Sequence, residues 1–269
     1  MSRTARNIEQ IPLHGAEGFA AMRKAGRAAA ELLDYLTPFI KPGITTGEID
    51  DLAVAWTTER GFTNGPFGYR GYPRSLCTSI NHVVCHGIPG PKKLVDGDIV
   101  NIDVTPIVDG WYGDSSRMYF VGKPSIKARK LVDVTYECLM RAIELVRPGC
   151  RLGDIGAVIQ DYAEANRFSV VRDFCGHGVG TIFHCPPSVL HYGKRGTGDV
   201  LDEGMIFTIE PMINSGKPDT KILQDGWTAV TKDRSLSSQF EHTIGVTADG
   251  CEIFTLSPKG WHCPPYEGA

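Results

Sequence analysis

No stretch of the 269-residue sequence is apolar for long enough to cross a membrane as a helix. The basic excess of a dedicated nucleic-acid binder is also missing. The net charge is −3 with 22% charged residues, so no nucleic-acid recognition is expected. Met1 to Gln10 carries two arginines but no apolar core, so it does not read as a secretory signal. A frayed terminus on a cytoplasmic protein is the expectation. The eight cysteines include no C-x-x-C pair, which argues against a zinc finger or a thioredoxin-like motif. They fall in apolar segments and read as reduced, buried thiols.

The sequence does contain a repeat. Lys41-Pro42-Gly43-Ile44-Thr45-Thr46-Gly47-Glu48-Ile49 recurs as Arg147-Pro148-Gly149-Cys150-Arg151-Leu152-Gly153-Asp154-Ile155, 106 residues later. Glu31, Leu33 and Phe62 match Glu137, Leu139 and Phe168 at the same offset, and Gly97-to-Asp103 resembles Gly204-to-Glu210 at 107. Two ordered copies imply two related halves about a pseudo-two-fold axis rather than a solenoid. Each half opens with a helix, Gly18–Ile40 and Lys127–Val146, that stops at a basic-Pro-Gly signal. A second helix follows near Gly47–Arg60 and Gly153–Arg167, with Glu48 or Asp154 in the first turn, where the helix dipole favours an acid. Asp98–Val108 reads as a strand ending in an Asp109-Gly110 hairpin turn. Met205–Ile213 and Trp227–Thr231 read as the corresponding pair, with Gln239–Thr247 returning across the sheet. The recurrent order ααββ predicts an α+β fold, with helices over one face of a curved antiparallel sheet.

Asp103 and Glu210 occupy equivalent places in the repeat, each preceded by apolar strand residues. Carboxylates buried in such strands need a partner, and two facing each other across a pseudo-axis repel unless a cation lies between them. Asp114 lies beyond the hairpin from Asp103, and Glu241 lies on the strand returning toward Glu210. His177 stands in the glycine-dense Cys175-Gly176-His177-Gly178-Val179-Gly180, read as a turn. Taken singly, Asp114 also reads as a turn residue, Glu241 as a solvated strand charge and His177 as a core histidine. Their order, together with the repeat, favours metal binding. Four carboxylates and one imidazole are too acidic a set for a single zinc ion and suit two divalent ions with bridging carboxylates.

The motifs Asn101-Ile102-Asp103, Gly113-Asp114-Ser115, Gly176-His177-Gly178, Thr208-Ile209-Glu210-Pro211 and Phe240-Glu241-His242-Thr243 together resemble the type I methionine aminopeptidases, from about Glu17 to Ser257. The resemblance implies the pseudo-symmetric pita-bread fold and a dinuclear metal-dependent hydrolase that removes initiator methionine when the second residue is small. It gives one ion to Asp103, Asp114 and Glu241, and the other to Asp114, His177, Glu210 and Glu241. Cobalt, manganese, iron and zinc all remain open as the working metal. Glu210 becomes the general base, His86 a donor to the substrate peptide and His184 a donor to the oxyanion. Tyr69, Tyr72, Cys77, Phe183 and Trp227 become the methionine pocket, and Asn81, Val83 and Ser237 a monovalent-cation site. His14, His82, His191, His242 and His262 are read as ordinary structural histidines.

The implied organisation is a short extension over 1–16, one catalytic domain over 17–257 with halves near 17–123 and 124–257, and a tail over 258–269. The implied setting is a cytoplasmic monomer, away from membranes, acting on nascent N-termini at the ribosome. One departure is visible: Cys185-Pro186-Pro187 replaces the acidic residues many bacterial relatives carry after the loop histidine, which leaves preferences beyond the second substrate residue open. Three rivals compete. Proline-specific aminopeptidases share the ligands but usually carry a large N-terminal domain, whereas the first expected helix here starts at Gly18. Type II enzymes carry a helical insertion for which His177 to Glu210 is too short. A non-catalytic binding protein on this fold would be expected to have lost ligands.

Overall fold

The computed structural model describes residues 11–266. The first ten residues of the expected extension and the last three of the expected tail lie outside them. Helix α1 (Ala16–Leu36) and helix α2 (Thr46–Glu59) open the first half, helices α3 (Ile126–Glu144) and α4 (Leu152–Ala165) the second. Helix α1 stops earlier than its basic-Pro-Gly signal suggests. Pro38 has no N–H to continue the ladder, so Thr37–Phe39 tightens into a 3-10 turn. The acidic residue at the third position of α2 and α4 has a role beyond the dipole. Glu48 accepts the Thr45 N–H at 2.7 Å and Asp154 the Arg151 N–H at 2.9 Å, closing back on the residue that precedes each helix.

Three strands form the sheet of the first half: β1 (Leu76–Ile80), β2 (Ile99–Val104) and β3 (Ser115–Phe120), in the order β1-β2-β3. The second half supplies β4 (Gly176–Gly178), β5 (Cys185–Val189), β6 (Ile206–Ile209) and β7 (His242–Val246), ordered β5-β4-β6-β7, with Cys251–Ile253 on the outer edge. All these pairings are antiparallel. The central strands β2 and β6 each follow a glycine at positive φ, Gly97 at 92° and Gly204 at 93°, so the repeat conserves backbone geometry as well as sequence.

The halves meet where β3 approaches the start of β7. Ser116 and Glu241 form a bridge there, the Glu241 N–H donating to Ser116 O at 3.1 Å. Ser115 Oγ donates to Glu241 O at 2.9 Å, and Thr243 Oγ1 donates to Asp114 O at 2.7 Å. Two of the proposed ligands thus sit on the seam itself.

Alternation along the strands sorts the faces. Val100, Ile102 and Val104 of β2 join the core beneath α1 and α2, and Phe207 and Ile209 of β6 join the core beneath α3 and α4. Asn101, Asp103, Thr208 and Glu210 are left for the opposite face. Residues 258–266 return to the body, where Tyr266 OH donates to Met118 O at 2.7 Å and Tyr266 packs on the first-half core.

Two expected strands are shorter than their β-rich runs. The first breaks at Thr105 before Pro106–Val108, and the second breaks at Glu210-Pro211 before Met212–Asn214. In each case a proline interrupts the ladder just past a carboxylate. One expected pairing is wrong. Trp227–Thr231 does not pair with Met205–Ile213. Its strand, Ala229–Thr231, lies between Thr220–Ile222 and Val83–Cys85, while β6 pairs with β7 and Met212–Asn214 with Ser237–Gln239.

Candidate metal centre

The face away from the helices carries a cleft of about 370 Å³. Asp103, Asp114, His177, Glu210 and Glu241 all line it. His177 Nε2 lies 3.4 Å from Asp114 Oδ2 and 3.7 Å from Glu210 Oε1. One donor atom each from Asp114, His177 and Glu241 falls within 4.8 Å of the others, a spacing that one ion can bridge.

His177 is not in a turn. It occupies the middle of β4, and its flanking glycines permit close strand approach. A β-carbon on Gly176 would stand 2.3 Å from Thr208 O, and one on Gly178 would stand 2.1 Å from Pro186 O. The ring is fixed from behind, with Nδ1 3.1 Å from Gly178 O. Donation there places the proton on Nδ1 and leaves the Nε2 lone pair facing the carboxylates, as a ligating histidine requires.

The carboxylates are held by neighbours absent from the sequence-derived site. Thr105 Oγ1 donates to Asp114 Oδ1 at 2.8 Å, Thr208 Oγ1 to Glu210 Oε1 at 2.8 Å, and Gln239 Nε2 to Glu210 Oε2 at 3.1 Å. Each of these three stands two positions from a carboxylate, next to Asp103, Glu210 and Glu241 respectively. Strand periodicity could have found them. His191, read as structural, accepts the Glu210 N–H at 3.1 Å. Phe174 and Met212 also line the cleft, with no signal in the sequence to mark them.

Burial dominates the electrostatics. It raises Asp103 to about 7 and pushes Asp114, Glu210 and Glu241 well above the usual carboxylate range; the charge of Asp103 raises Asp114 further, and the charges of Asp114 and Asp103 raise both glutamates. His177 is held down at about 4, also by burial, so it stays a neutral donor. Four clustered carboxylates beside a neutral imidazole form a set that ionises fully only around cations, and the residues present therefore fit divalent metal.

Burial raises the four carboxylates but lowers the histidines, so without metal the two groups act in opposite directions up to about pH 6.5. Above it the histidines are largely neutral in both states, the folded protein binds more protons through its carboxylates, and stability falls as pH rises past 7. With a chelator present, the unfolding temperature should be roughly 3 °C or more lower at pH 8 than at pH 7. Mn²⁺ should raise it more at pH 8. A chelated protein with the same melting temperature at both pH values, and no response to Mn²⁺, would show that the carboxylates do not share a site.

All five residues expected to form the pocket line the same cleft as the candidate ligands: Tyr69, Tyr72, Cys77, Phe183 and Trp227. Tyr72 meets Trp227 edge-on at 5.1 Å, and Tyr69 lies 4.9 Å from Phe183. Burial raises the Cys77 thiol well above its ordinary value, with Asp103 adding to the effect, so Cys77 is a neutral, polarisable wall. His184 stacks on Tyr69 at 5.0 Å and lies 4.1 Å from His177, while His86 faces Phe174 at 5.5 Å and Trp227 at 6.1 Å. His86 and Arg70, both on the cleft wall, hold left-handed φ values of 56° and 47°. Such conformations cost on the order of 1–3 kcal/mol each and concentrate at functional sites. The Cys185-Pro186-Pro187 segment does not line the cleft. It begins edge strand β5, paired with β4 through a register shift, and only Phe183 and His184 before it reach the cleft. Asn81 and Ser237 meet through the Ser237 N–H, 2.8 Å from Asn81 O, and Val83 starts the adjoining strand.

Residues 20–248 match the pattern of metallopeptidase family M24. The chain belongs to that family. Among its relatives in M24, a methionine aminopeptidase of Rickettsia prowazekii is 58% identical over 95% of this chain and 99% of the relative. Methionine aminopeptidase A of Synechocystis is 60% identical over 87% and 93%. The solved Rickettsia prowazekii enzyme superposes with a TM-score of 0.91, covering 92% of this chain and 100% of that one. An Xaa-Pro dipeptidase from Bacillus anthracis gives a TM-score of 0.73 at 22% identity, over 91% of this chain and 62% of that one, a likeness of fold alone. The M24 chain therefore has the α+β pita-bread fold, and family membership implies divalent-metal binding.

Proposed function

We propose that this M24 chain is a methionine aminopeptidase that removes the initiator methionine from nascent chains whose second residue is small. The observation that carries the reading is one cleft holding Asp103, Asp114, His177, Glu210 and Glu241 beside the aromatic walls Tyr69, Tyr72, Phe183 and Trp227. The 58% identity to a protein named methionine aminopeptidase, against 22% to an Xaa-Pro dipeptidase, favours methionine over proline specificity.

Asp103, Asp114 and Glu241 would hold one divalent ion, and Asp114, His177, Glu210 and Glu241 the other, with Asp114 and Glu241 shared. Such a pair, when bound, lowers the pKa of a water, polarises the scissile carbonyl and accepts the free α-amine. The need for a free amine next to the scissile bond makes the activity an exopeptidase. Glu210, with both carboxylate oxygens positioned by Thr208 and Gln239, takes a proton from the attacking water and passes it to the leaving amine. His184 is held at about 3, by burial first and by His177 next, so it acts as a neutral N–H donor toward the oxyanion. Burial lowers His86 as well, and it donates toward the substrate peptide in the same neutral form.

Asn81, Val83 and Ser237 remain a proposed monovalent-cation site. Supporting it, Asn81 has a left-handed φ of 54°, and Ser237 Oγ is buried without a hydrogen-bond partner among the described residues. The domain limits, the monomeric state, the cytoplasmic setting and encounter with nascent chains at the ribosome belong to the same proposal.

Peptides beginning with methionine, assayed with metal-stripped protein reloaded in turn with Fe²⁺, Mn²⁺, Co²⁺ and Zn²⁺, test the reading. Release of free methionine with at least one ion is expected, and no release with any of them would overturn it. His184→Ala is expected to reduce turnover about a hundred- to a thousand-fold, the usual loss for one oxyanion donor. Its metal content should match the unaltered protein. Metal loss in that variant would mean that His184 is a ligand.

A further inference from the structure

The ladder beside β6 has a gap at Glu210. On that side β6 pairs Phe207 with Gly178, and backbone bonding resumes where the Val171 N–H donates to Met212 O at 3.0 Å, ahead of the Ile213–Val170 pair. Between these points the neighbouring chain leaves the sheet, and Asp173, Phe174 and Cys175 form part of the cleft wall. A backbone N–H facing such a gap would be buried without a partner, which costs about 1–3 kcal/mol. The Glu210 N–H instead meets the ring of His191, two residues past β5, at 3.1 Å from Nε2. The histidine is fully buried and does not line the cleft, so substrate cannot be what it serves.

We propose that His191 is a positioning residue that fixes the backbone of Glu210, and through it the carboxylate that binds metal and accepts the proton. Thr208 and Gln239 hold the two carboxylate oxygens, but both hydrogen bonds leave the main chain free to shift at the strand break before Pro211. His191 closes that remaining freedom. Its chemistry is dictated by the contact. A backbone N–H can only donate, so Nε2 must carry its lone pair, and the neutral ring must keep its proton on Nδ1. Nδ1 has no hydrogen-bond partner among the described residues, so the contact with the Glu210 N–H is the hydrogen bond that orients the ring.

The proposal rests on the reading of Glu210 as ligand and base, and the tests separate the two. In ¹⁵N spectra of histidine-labelled protein, the signal lost on His191→Gln should be that of a neutral ring protonated at Nδ1. His191→Leu, which removes the acceptor, should lose about 10- to 100-fold in both Mn²⁺ affinity, measured by calorimetry, and kcat on Met-Ala peptides, with KM little changed. His191→Gln, whose side-chain carbonyl can take the same N–H, should restore most of both. A merely structural histidine would lower melting temperature in both variants without that split. Should His191→Leu fail to fold, His191→Asn, with a shorter acceptor, is expected to show the same loss in a folded protein. Wild-type protein that binds Mn²⁺ yet leaves Met-Ala peptides intact would defeat the peptidase reading, while the spectra and the Mn²⁺ titration still decide the role of His191. A ring protonated at Nε2, unchanged Mn²⁺ affinity in His191→Leu, or no recovery in folded His191→Gln would overturn the proposal.

Discussion

Glu210→Gln is expected to lower kcat on methionyl peptides about a hundred- to ten-thousand-fold, the range general-base removal produces. The substitution keeps the length and shape of the side chain, so the walls of the cleft stay in place. What changes is chemistry. One oxygen that accepts from Thr208 Oγ1 or from Gln239 Nε2 becomes an NH₂ group with no basic lone pair. Placed toward Gln239 it would set two donors against each other, so the amide should turn its NH₂ toward Thr208, whose hydroxyl can accept as well as donate. KM should change much less than kcat, because Glu210 acts on the water and not on the methionine side chain. Metal stoichiometry separates the two parts of the loss. If Mn²⁺ content falls by one ion, ligand loss dominates. If both ions remain, the missing base dominates. Activity within tenfold of the unaltered protein would remove Glu210 from both roles and leave the cleft without a base.

How much of this centre is legible in the sequence depends on the distance over which each feature is encoded. The helices are local, and the first of each half carries a stop signal, so they fall within a few residues of expectation. Strand existence is also local, but strand partnership is not. Trp227–Thr231 is β-rich, yet nothing within it specifies that its partners are Thr220–Ile222 and Val83–Cys85. The candidate ligands, which share one cleft, are legible because the repeat pairs Asp103 with Glu210 and the motifs order the rest. Their supports Thr105, Thr208 and Gln239 obey strand periodicity and were within reach. The glycines around His177 misled because glycine serves turns and close approach alike, and only the positions of Thr208 O and Pro186 O decide between them. His191 was out of reach. Its partner is a backbone N–H, which has no sequence signature, and the contact exists only because residues 172–175 leave the sheet elsewhere.

Met-Gly and Met-Ala starts should be cut about a hundredfold faster than Met-Leu or Met-Lys starts, which is the scale at which a confined pocket separates side chains of different size. A cleft of about 370 Å³ has to take the methionine side chain, the scissile peptide and the second side chain together. The aromatic pairs Tyr72–Trp227 and Tyr69–Phe183 leave a slot suited to an unbranched thioether, whose sulfur gains from aromatic edges. On the reacting side, His86 lies edge-on to Phe174 and His184 packs against His177, so two imidazoles line the cleft that the second residue must share. Glycine, alanine or serine fits beside them. Leucine or lysine displaces one of the two donors or the peptide itself, and misplaced reacting atoms cost rate even where binding survives. A peptide series varied at the first two positions, assayed at saturating Mn²⁺ or Co²⁺, reads this directly in kcat/KM. Equal rates for Met-Ala and Met-Leu would mean that the second side chain points out of the cleft and that the space argument fails. Preferred cleavage before proline, with no demand for methionine, would move the protein to the proline-specific branch of M24 while leaving the metal centre as described.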